Sequence, residues 1–516
     1  MTPDQTTAFT ISTNPATGDK LGRVPLNRME DVGPAIERIR AAQKQWALTP
    51  IHKRTRHLRK MQRHLASHAD EFAKRIAADN GKTYKDAFAT EIFAAILGID
   101  YYIKHSHRVL QDRQIRGSGW FGLYKKHRIQ HVPWGVVGII SPWNYPLQIP
   151  FTEILMALVA GNGVLFKMAT ETLQVGQLIN AIITAGEFPK DLFIQVNLPG
   201  RQAGDAFLES GIDKLFFTGS VPVGKYLMKK AAETLTPVSL ELGGNDPMIV
   251  CADAIVKRAV RGAIWAAYQN AGQSCGGVER IYVQHAIYET FLQQFKNQLT
   301  QLQVGPGLDA SSDMGAMTTL NQVTTVEEHI TDALNRGAEL LCETANPAGS
   351  DHFLPGRAFI NVNHSMRIMQ EESFGPVVGI MPFDSEEEAI HLANDSNLGL
   401  TASVWTKNRK RASRIASQLE AGTITINDHL MTHGIANLPW GGFKQSGLGR
   451  THGEMGLEEM TQPRLIVSDF TPVSTMPWWL PMREVVYQRL VGASMIWGGT
   501  WKVKWFGFKK ILRGSS

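Results

Sequence analysis

The sequence contains little cysteine and no recognisable leader or metal-binding pattern. Only three cysteines occur in 516 residues, Cys251, Cys275 and Cys342. They are too few and too scattered for a disulfide framework, which favours a reducing compartment. No Cys-X-X-Cys pair or Cys/His spacing is present, so no metal site is expected. Residues 1–13 are polar and lack the basic start and apolar run of a secretory signal, and we therefore expect a cytoplasmic protein.

The net charge of +6 is confined to one end of the chain. Residues 470–516 hold seven basic residues and a single acidic one, Glu484, so the preceding part is about neutral. The basic residues of this segment are Arg483, Arg489, Lys502, Lys504, Lys509, Lys510 and Arg513. Because most of the chain carries no positive excess, its basicity does not indicate nucleic-acid binding, and no such partner is expected.

Internal repeats and low-complexity tracts are also absent, which excludes solenoids and propellers. A chain of this length exceeds what one hydrophobic core supports and predicts two large domains. Short apolar runs bounded by Gly, Pro or Asn alternate with amphipathic stretches, as in a parallel α/β sheet. The predicted strands are 136–140, 163–166, 214–217 and 247–250. After Cys275 a second α/β lobe is predicted, with strands at 280–283, 359–362, 402–405 and 423–427 and a helix near 288–302.

Residues 111–131 combine three glycines with a basic cluster and show no helical periodicity, which predicts an exposed hairpin. The hairpin is either a solvated connection or an edge that pairs with another subunit, because unpaired strand edges invite association.

Three separate segments contain residues suited to covalent chemistry. Cys275 is flanked by glycines that allow backbone N–H groups to approach whatever bonds to its sulfur. Glu241 ends the apolar run 238–242, and Asn144 lies between two prolines that restrict its backbone. Taken singly, each is as consistent with a buried thiol, a surface glutamate or a turn residue, and the other two cysteines fit the buried-thiol interpretation.

A possible phosphate-binding turn follows the strand at 214–217. Gly219, Ser220 and Gly224 open a helical pattern, so that backbone N–H groups at a helix N-terminus could meet a pyrophosphate. The spacing is not Gly-X-Gly-X-X-Gly, and alone it fits an ordinary strand-to-helix turn.

Seven segments, taken together in order, resemble the aldehyde dehydrogenase superfamily. They are PWNYP at 142–146, GNGVLFK at 161–167, FTGS at 217–220, ELGG at 241–244, GQSC at 272–275, ESFGP at 372–376 and PWGG at 439–442. The resemblance covers roughly residues 14–467. It implies an α/β fold with a Rossmann-like cofactor domain, an α/β catalytic domain and a small β oligomerisation arm.

The resemblance also implies roles for individual residues. Cys275 would be the nucleophile, Glu241 the general base, and Asn144 together with the Cys275 backbone N–H the oxyanion hole. The implied reaction is oxidation of an aldehyde to a carboxylic acid through a thiohemiacetal and a thioester, which water then hydrolyses.

The same resemblance implies an NAD or NADP site. Lys167 and Glu372 would contact ribose hydroxyls, and Trp143, Phe374 and Leu242 would lie near the cofactor with Gly219, Ser220 and Gly224. Many NAD-preferring relatives have a glutamate three positions after the lysine, where this chain has Thr170 and then Glu171. Met168 also replaces a common proline, so both cofactors stay open.

The predicted domain plan follows the resemblance. Residues 1–110 and 134–243 would bind NAD(P), residues 244–443 would form the catalytic domain, and residues 111–133 and 459–469 would form the arm of a homodimer or homotetramer. Residues 470–516 form an extension outside the resemblance.

The extension is rich in aromatic and basic residues. It holds five of the twelve tryptophans, and its uncharged stretch at residues 490–501 is too short to span a bilayer. Such a segment suits either an anionic membrane surface or packing on the enzyme or its dimer partner. Membrane-associated extensions of some fatty aldehyde dehydrogenases suggest an aliphatic hydrophobic aldehyde as substrate.

Two other functions remain open from the sequence. One is a CoA-acylating aldehyde dehydrogenase, against which Glu241 argues because that reaction needs no base for water. The other is a catalytically silent binding protein on the same fold, against which the joint presence of Cys275, Glu241 and Asn144 argues.

Overall fold

A computed structural model describes residues 8–117, 125–345, 349–476 and 478–513. The chain divides into two compact units, residues 1–111 with 131–463 and residues 112–130 with 464–516.

The strands are β1 (Phe9–Thr13), β2 (Lys20–Pro25), β3 (Arg113–Ile115), β4 (Lys125–Pro133), β5 (Val136–Ile140), β6 (Gly163–Lys167), β7 (Phe193–Val196), β8 (Lys214–Thr218), β9 (Val238–Glu241), β10 (Asp246–Val250), β11 (Val278–Gln284), β12 (Glu339–Glu343), β13 (Arg357–Ile360), β14 (Val377–Phe383), β15 (Leu398–Gly399), β16 (Thr401–Trp405), β17 (Thr423–Ile426), β18 (Phe443–Lys444), β19 (Gly447–Leu448) and β20 (Thr461–Asp469).

The α-helices are α1 (Val32–Trp46), α2 (Ile51–Ser67), α3 (Ala69–Asn80), α4 (Tyr84–Ala87), α5 (Ala94–Leu110), α6 (Gln148–Ala160), α7 (Leu173–Ala185), α8 (Gly200–Glu209), α9 (Val221–Ala232), α10 (Val256–Tyr268), α11 (Tyr288–Leu299), α12 (Leu320–Asn335), α13 (Glu386–Asn394), α14 (Arg409–Ala416), α15 (Gly453–Glu459), α16 (Glu484–Gly498) and α17 (Trp501–Arg513). A single π-helical turn, Phe88–Phe93, joins α4 to α5.

Two large sheets form the core of the first unit. One has the order β19-β9-β8-β5-β6-β7, and the other β12-β13-β14-β11-β10-β16-β17. Their central strands are parallel and buried, which explains their continuous apolar sequences. The predicted mixed α/β class is therefore confirmed.

The predicted strands all form, with shifted ends. The strand predicted at 280–283 extends over Val278–Gln284. The charge of Glu279 suggested that the strand begins after this residue, whereas Glu279 is buried within the strand. The strand predicted at 359–362 is Arg357–Ile360, since the Arg357 N–H already bonds the Pro376 carbonyl. The helix predicted to reach residue 302 ends at Leu299.

The predicted boundary at residue 243 falls between β9 and β10, which belong to different sheets. The division of this unit into cofactor and catalytic domains stays a prediction.

The second unit consists mainly of strands and a helical pair. The hairpin expected over 111–131 is formed by antiparallel β3 and β4, while its expected tip at 118–124 lies outside the described residues. β4 is flanked by β3 and β20 in a three-stranded sheet. The pairing of this hairpin with another subunit stays a prediction.

The extension forms α16 and α17, which sequence periodicity did not indicate. In α16 apolar residues lie on every side, and only Val486 and Gly492 are buried, so no amphipathic pattern exists. The two helices cross closely at Gly492 and Gly507, where an added Cβ on either would lie about 2.5 Å from the other's carbonyl oxygen. In the described part of the chain, no helix is both long and apolar enough to cross a membrane.

Candidate active site

One cavity of about 260 Å³ collects most of the residues that the sequence singled out. It lies where β5, β8 and β9 of the first sheet end, the edge at which α/β proteins commonly bind ligands. The predicted site residues that line it are Trp143, Asn144, Gly219, Ser220, Glu241, Leu242, Cys275, Glu372 and Phe374. Lys167 lines the neighbouring cavity, and Gly224 lines neither of the two.

Cys275 follows a strained turn between α10 and β11. Asn270 and Ala271 have left-handed φ angles of 54° and 53°, and Gly272 has a φ of 71°. An added Cβ on Gly272 would lie 2.1 Å from the Gly375 carbonyl oxygen, so only glycine fits there. The turn leaves Cys275 partly exposed, whereas the other two cysteines are buried.

The electrostatic surroundings of Cys275 disfavour the thiolate. Burial raises the pKa of the thiol, and negative charge on Glu372, Asp246 and Glu241 raises it further. The thiol must therefore lose its proton, or its surroundings must change, before the sulfur acts as a nucleophile.

Asn144 is fixed through its main chain as well as its side chain. Its carbonyl oxygen accepts hydrogen bonds from Lys82 Nζ at 2.8 Å and Asn270 Nδ2 at 2.9 Å. Its own Nδ2 donates to the Gln273 carbonyl oxygen at 3.1 Å. Because an amide nitrogen carries two hydrogens, one N–H stays available for an oxyanion.

Glu241 ends β9 opposite Thr218 of β8 and Gly447 of β19. The side chain is 7% exposed, and its Oε2 makes no hydrogen bond within the described protein. Burial raises the pKa of Glu241 well above its usual value, negative charge on Glu153 adds to the rise, and Arg450 opposes it. A carboxyl of this kind is suited to accept a proton near neutral pH.

The turn before α9 can receive a phosphate. The Gly219 N–H bonds the Glu241 carbonyl oxygen at 3.0 Å, and the Ser220 side chain does not cap the helix that follows. The N–H groups of the first turn are thus left for a ligand. Gly224 acts by packing, because an added Cβ would lie 2.6 Å from Leu242 Cδ2.

A second cavity of about 740 Å³ adjoins the first. The two share Pro142, Trp143, Thr218, Gly219 and Ser220, as a two-part ligand requires. Lys167 lies in its wall, and burial lowers the pKa of this lysine. The exposed Arg201, which sequence reasoning missed, provides a second cation.

Glu372 and Phe374 form the wall opposite the turn. Glu372 Oε1 accepts the Gly244 N–H at 3.0 Å, and the Phe374 ring meets the Trp143 ring edge-on at 5.4 Å. Buried Glu279 accepts the Phe374 N–H at 2.8 Å and fixes this loop. Sequence reasoning missed Glu279, although a lone carboxylate inside an apolar strand is a signal for a buried bond network.

A smaller cavity of about 40 Å³ lies on the other side of the sulfur and was also missed. Its lining residues are Thr90, Tyr145, Ile149, Ser274, Cys275, Gly276, Leu430, His433 and Trp440. His433 meets the Trp440 ring edge-on at 5.0 Å, and burial lowers the pKa of His433 to about 4, so it is neutral. Cys275 therefore lines both the larger cavity and a small one whose described lining residues carry no charge at neutral pH.

Comparison with known proteins agrees with this geometry. Residues 2–466 match the model of the aldehyde dehydrogenase family. A 4,4'-diapolycopene aldehyde oxidase of Methylomonas sp is 36% identical over 93% of this chain and 89% of that protein. A succinate semialdehyde dehydrogenase of Acinetobacter baylyi is 35% identical over 86% of this chain and 91% of its own length.

The chain belongs to the aldehyde dehydrogenase family. A solved aldehyde dehydrogenase of Bacillus cereus in complex with NAD⁺ is similar with a TM-score of 0.86 and 32% identity, covering 90% of this chain and 94% of that one. The protein is therefore an NAD(P)-dependent enzyme that oxidises an aldehyde to an acid. Its uncapped α9 N-terminus and the paired cavities fit a dinucleotide cofactor.

Proposed function

We propose that this aldehyde dehydrogenase oxidises uncharged, hydrophobic aldehydes and releases the acid by hydrolysis rather than by transfer to CoA. The observation that carries the substrate class is the lining of the small cavity beside Cys275. The residue roles below rest on the placement of Cys275, Asn144 and Glu241 around one cavity.

In the first half of the reaction, the Cys275 thiol releases its proton to solvent through the cofactor cavity, Sγ forms a bond to the aldehyde carbon, and the carbonyl π electrons move to oxygen. The free N–H of Asn144 Nδ2 and the Cys275 backbone N–H stabilise this oxyanion. NAD(P)⁺, when bound, would accept the hydride of the adduct's C–H bond as the C=O bond forms again, which leaves a thioester on Cys275. Trp143, Phe374 and Glu372, which line the same cavity as Cys275, would hold that cofactor.

In the second half, water attacks the thioester carbon and gives a proton to Glu241. The carbon–sulfur bond breaks, its electron pair returns to Cys275 Sγ, and the acid leaves. Glu241 has the placement for this step, because it lines both the cofactor cavity and a small cavity that reaches Cys275. CoA-dependent release would not need a base for water.

The small cavity favours an uncharged substrate. Among the described residues that line it there is no lysine or arginine, and its one histidine is neutral near pH 7. A semialdehyde with a second carboxylate would place that charge against Ile149, Leu430 and Trp440 without a cation to balance it, which is unfavourable.

Exposed apolar side chains lie near this cavity in the sequence. Phe88 and Phe93 flank the lining residue Thr90 on the π-helical turn and are 42% and 50% exposed. Met431, next to the lining residue Leu430, is 55% exposed. These residues give an alkyl chain that extends from the cavity a surface on which to lie.

The names of the relatives point to two substrates, 4,4'-diapolycopene aldehyde in one and succinate semialdehyde in another. The lack of a cation in the lining disfavours the second.

The test is a set of aldehydes offered to the purified enzyme with NAD⁺ and with NADP⁺. We expect kcat/KM for hexanal or decanal to exceed that for succinate semialdehyde by at least about tenfold, as expected for an unbalanced buried charge. Preference for succinate semialdehyde would reject the proposed substrate class. A rate that depends on added CoA would indicate the acylating reaction, and no turnover with any aldehyde would indicate a silent protein.

We further propose that the extension, residues 470–516, binds the surface of an anionic bilayer. Large apolar side chains on α16 and α17 face solvent. Among them Tyr487, Trp497, Trp501, Trp505, Phe506 and Phe508 are between 50% and 87% exposed. Four lysines on α17 lie among these rings, and Glu484 is the one acid of the extension. Exposed tryptophans combined with lysines are suited to an anionic lipid interface, where the rings insert and the ammonium groups meet headgroups.

Sedimentation with vesicles tests the surface. We expect full-length enzyme to pellet with phosphatidylserine-containing vesicles, to pellet less with phosphatidylcholine alone, and to stay in solution after truncation following Asp469. A Trp501→Ser/Trp505→Ser variant should bind weakly, while a control with both rings retained and the exposed Trp265 changed to Ser should bind as the unaltered protein does. Equal pelleting of full-length and truncated enzyme would reject the membrane proposal without affecting the catalytic one.

A further inference from the structure

A small buried cavity lies behind Glu241, away from the cofactor turn. It holds about 10 Å³ of space for the centre of a water molecule, enough for one. Its lining residues are Ile149, Glu153, Thr218, Glu241, Leu242, Cys275, His433, Trp440, Thr451 and His452. Two carboxyl groups, Glu153 and Glu241, thus meet the same enclosed space beside the sulfur.

Several polar atoms around this cavity lack hydrogen-bond partners in the described protein. They are Glu241 Oε2, Thr451 Oγ1 and both ring nitrogens of His452. Buried polar atoms are nearly always paired, and a cluster of unpaired ones around a space of this size indicates a bound water.

Glu153 is an unusual residue for its place. It is the one acidic residue of α6, whose thirteen residues are all buried, and it is itself 2% exposed. No salt bridge to Glu153 occurs within the described residues. Burial raises the pKa of Glu153 to about 8 although a hydrogen bond with Thr218 opposes the rise, so the side chain is mainly a neutral acid at pH 7. A neutral acid can donate a hydrogen bond, which a carboxylate cannot.

The other ionisable groups near Glu153 do not take over this role. Burial lowers the pKa of His433 to about 4 and that of His452 well below its usual value, so both rings are neutral. At the start of α6, Lys82 and Glu91 pair with each other. Arg450 and Glu459 act on Glu241 with opposite signs.

We infer that Glu153 is a positioning residue that donates a hydrogen bond through a water in the cavity to Glu241 and so allows Glu241 to stay ionised as the base of thioester hydrolysis. The inference rests on the proposed role of Glu241. The two carboxyls together hold one proton, which remains on Glu153 while Glu241 accepts the proton of the attacking water. Glu241 then loses its proton to solvent through the cofactor cavity, which it also lines.

Two substitutions distinguish the hydrogen-bond donor of Glu153 from its ability to ionise. Glu153→Met keeps the length and removes the donor, so Glu241 should ionise only at higher pH. We expect the acid limb of the pH profile for thioester hydrolysis to move up by about one unit, a roughly tenfold slower hydrolysis on that limb. Glu153→Gln keeps an N–H donor but cannot ionise, so its acid limb should stay near that of the unaltered enzyme and any inflection near pH 8 should disappear.

The measurement is the pH dependence of turnover after the first-turnover burst of reduced nicotinamide, which isolates hydrolysis from the hydride step. The burst itself should remain in both variants and report that the fold and the nucleophile are intact. Thr152→Val is the matched control, because Thr152 is equally buried on α6 and lies outside the cavity. An unmoved acid limb in Glu153→Met, or equal shifts in Met and Gln, would overturn the inference.

Glu241→Gln distinguishes this inference from the proposed function. It should abolish hydrolysis at every pH while the burst remains. If Glu241→Gln turns over normally, the proposed base is wrong and the inference falls with it. If Glu241→Gln is inactive and Glu153→Met has an unchanged profile, only the role of Glu153 is wrong.

Discussion

Lys82 and Glu91 form a completely buried ion pair beneath Asn144, with Nζ and Oε1 2.6 Å apart and both side chains 0% exposed. The ammonium also donates to the Asn144 carbonyl oxygen, and Glu91 Oε2 accepts the Leu147 N–H at 2.6 Å. Glu91 lies within the π-helical turn, and such turns are frequent at functional sites. The pair therefore fixes the loop that carries the proposed oxyanion donor.

Removal of one partner of this pair should be costly. Lys82→Met leaves a buried carboxylate without its cation, and we expect the free energy of unfolding to fall by about 3–5 kcal/mol. Lys82→Met/Glu91→Gln should recover part of this loss because no charge is left unpaired. Lys104→Met, which removes an exposed pair with Asp100, is the control and should cost less than about 1 kcal/mol. Urea unfolding followed by fluorescence measures all three, and equal losses at the two lysines would contradict the argument.

The cysteines should differ in reactivity because of exposure rather than acidity. Burial raises the pKa of both Cys251 and Cys342 to about 11, and burial with nearby carboxylates also raises that of Cys275. Only Cys275 is partly exposed. We expect one equivalent of iodoacetamide to react with the enzyme without cofactor, at a rate that rises about tenfold per pH unit from pH 6 to pH 9 as the thiolate fraction grows.

Mass spectrometry after tryptic digestion identifies the labelled cysteine, and a Cys251→Ala/Cys342→Ala variant provides the control. Its rate should equal that of the unaltered enzyme. A rate independent of pH would show that the thiol is already ionised at rest, contrary to its surroundings.

Several parts of this site could be predicted from sequence because each is local. Each of the three reacting residues, Cys275, Glu241 and Asn144, lies in a short segment with a turn shaped by neighbouring glycines or prolines. These glycines and prolines are visible in the sequence, so they mark the position of the turn. The parallel strands are apolar throughout because both faces are buried, which fixed their positions to within two residues.

Other parts depend on contacts between segments far apart in sequence. Glu153 occurs inside a helix whose pattern indicates only burial, and its relation to Thr451 and His452 arises from the fold. His433 and Leu430 come from an irregular loop with no motif. The helices of the extension were missed because α16 has no polar face from which a period could be read.

The second cation of the cofactor cavity should influence cofactor choice. Arg201 and Lys167 line this cavity, and no acidic residue occurs among its described lining residues. A guanidinium can bind the extra phosphate of NADP⁺, and a charge-assisted bond of about 1.5–3 kcal/mol corresponds to a tenfold or greater change in affinity. We expect Arg201→Ala to raise KM for NADP⁺ at least about tenfold and KM for NAD⁺ less than about twofold.

Arg63→Ala, at an exposed position of α2, is the control and should change neither constant. Steady-state kinetics with both cofactors and hexanal provide the readout. Equal increases in both KM values would assign Arg201 to a part of the site common to the two cofactors.

The backbone of Cys275 is held in place by a glycine of a different segment. An added Cβ on Gly244 would lie 2.1 Å from the Cys275 carbonyl oxygen, a backbone atom that can move only with its turn. Gly244→Ala should therefore displace the sulfur, and since a shift of about 1 Å at a reacting group can cost about 10²-fold in rate, we expect kcat/KM to fall by that order.

Gly33→Ala is the matched control, because Gly33 lies in α1 and an added Cβ there meets nothing within 4 Å. Its kcat/KM should be unchanged and its thermal midpoint equal or slightly higher, since alanine has a higher helix propensity than glycine. The discriminating measurement is kcat/KM for hexanal together with the iodoacetamide rate at Cys275. Normal values of both in Gly244→Ala would mean that the turn adjusts without moving the sulfur, and the close contact would then have no part in placing the nucleophile.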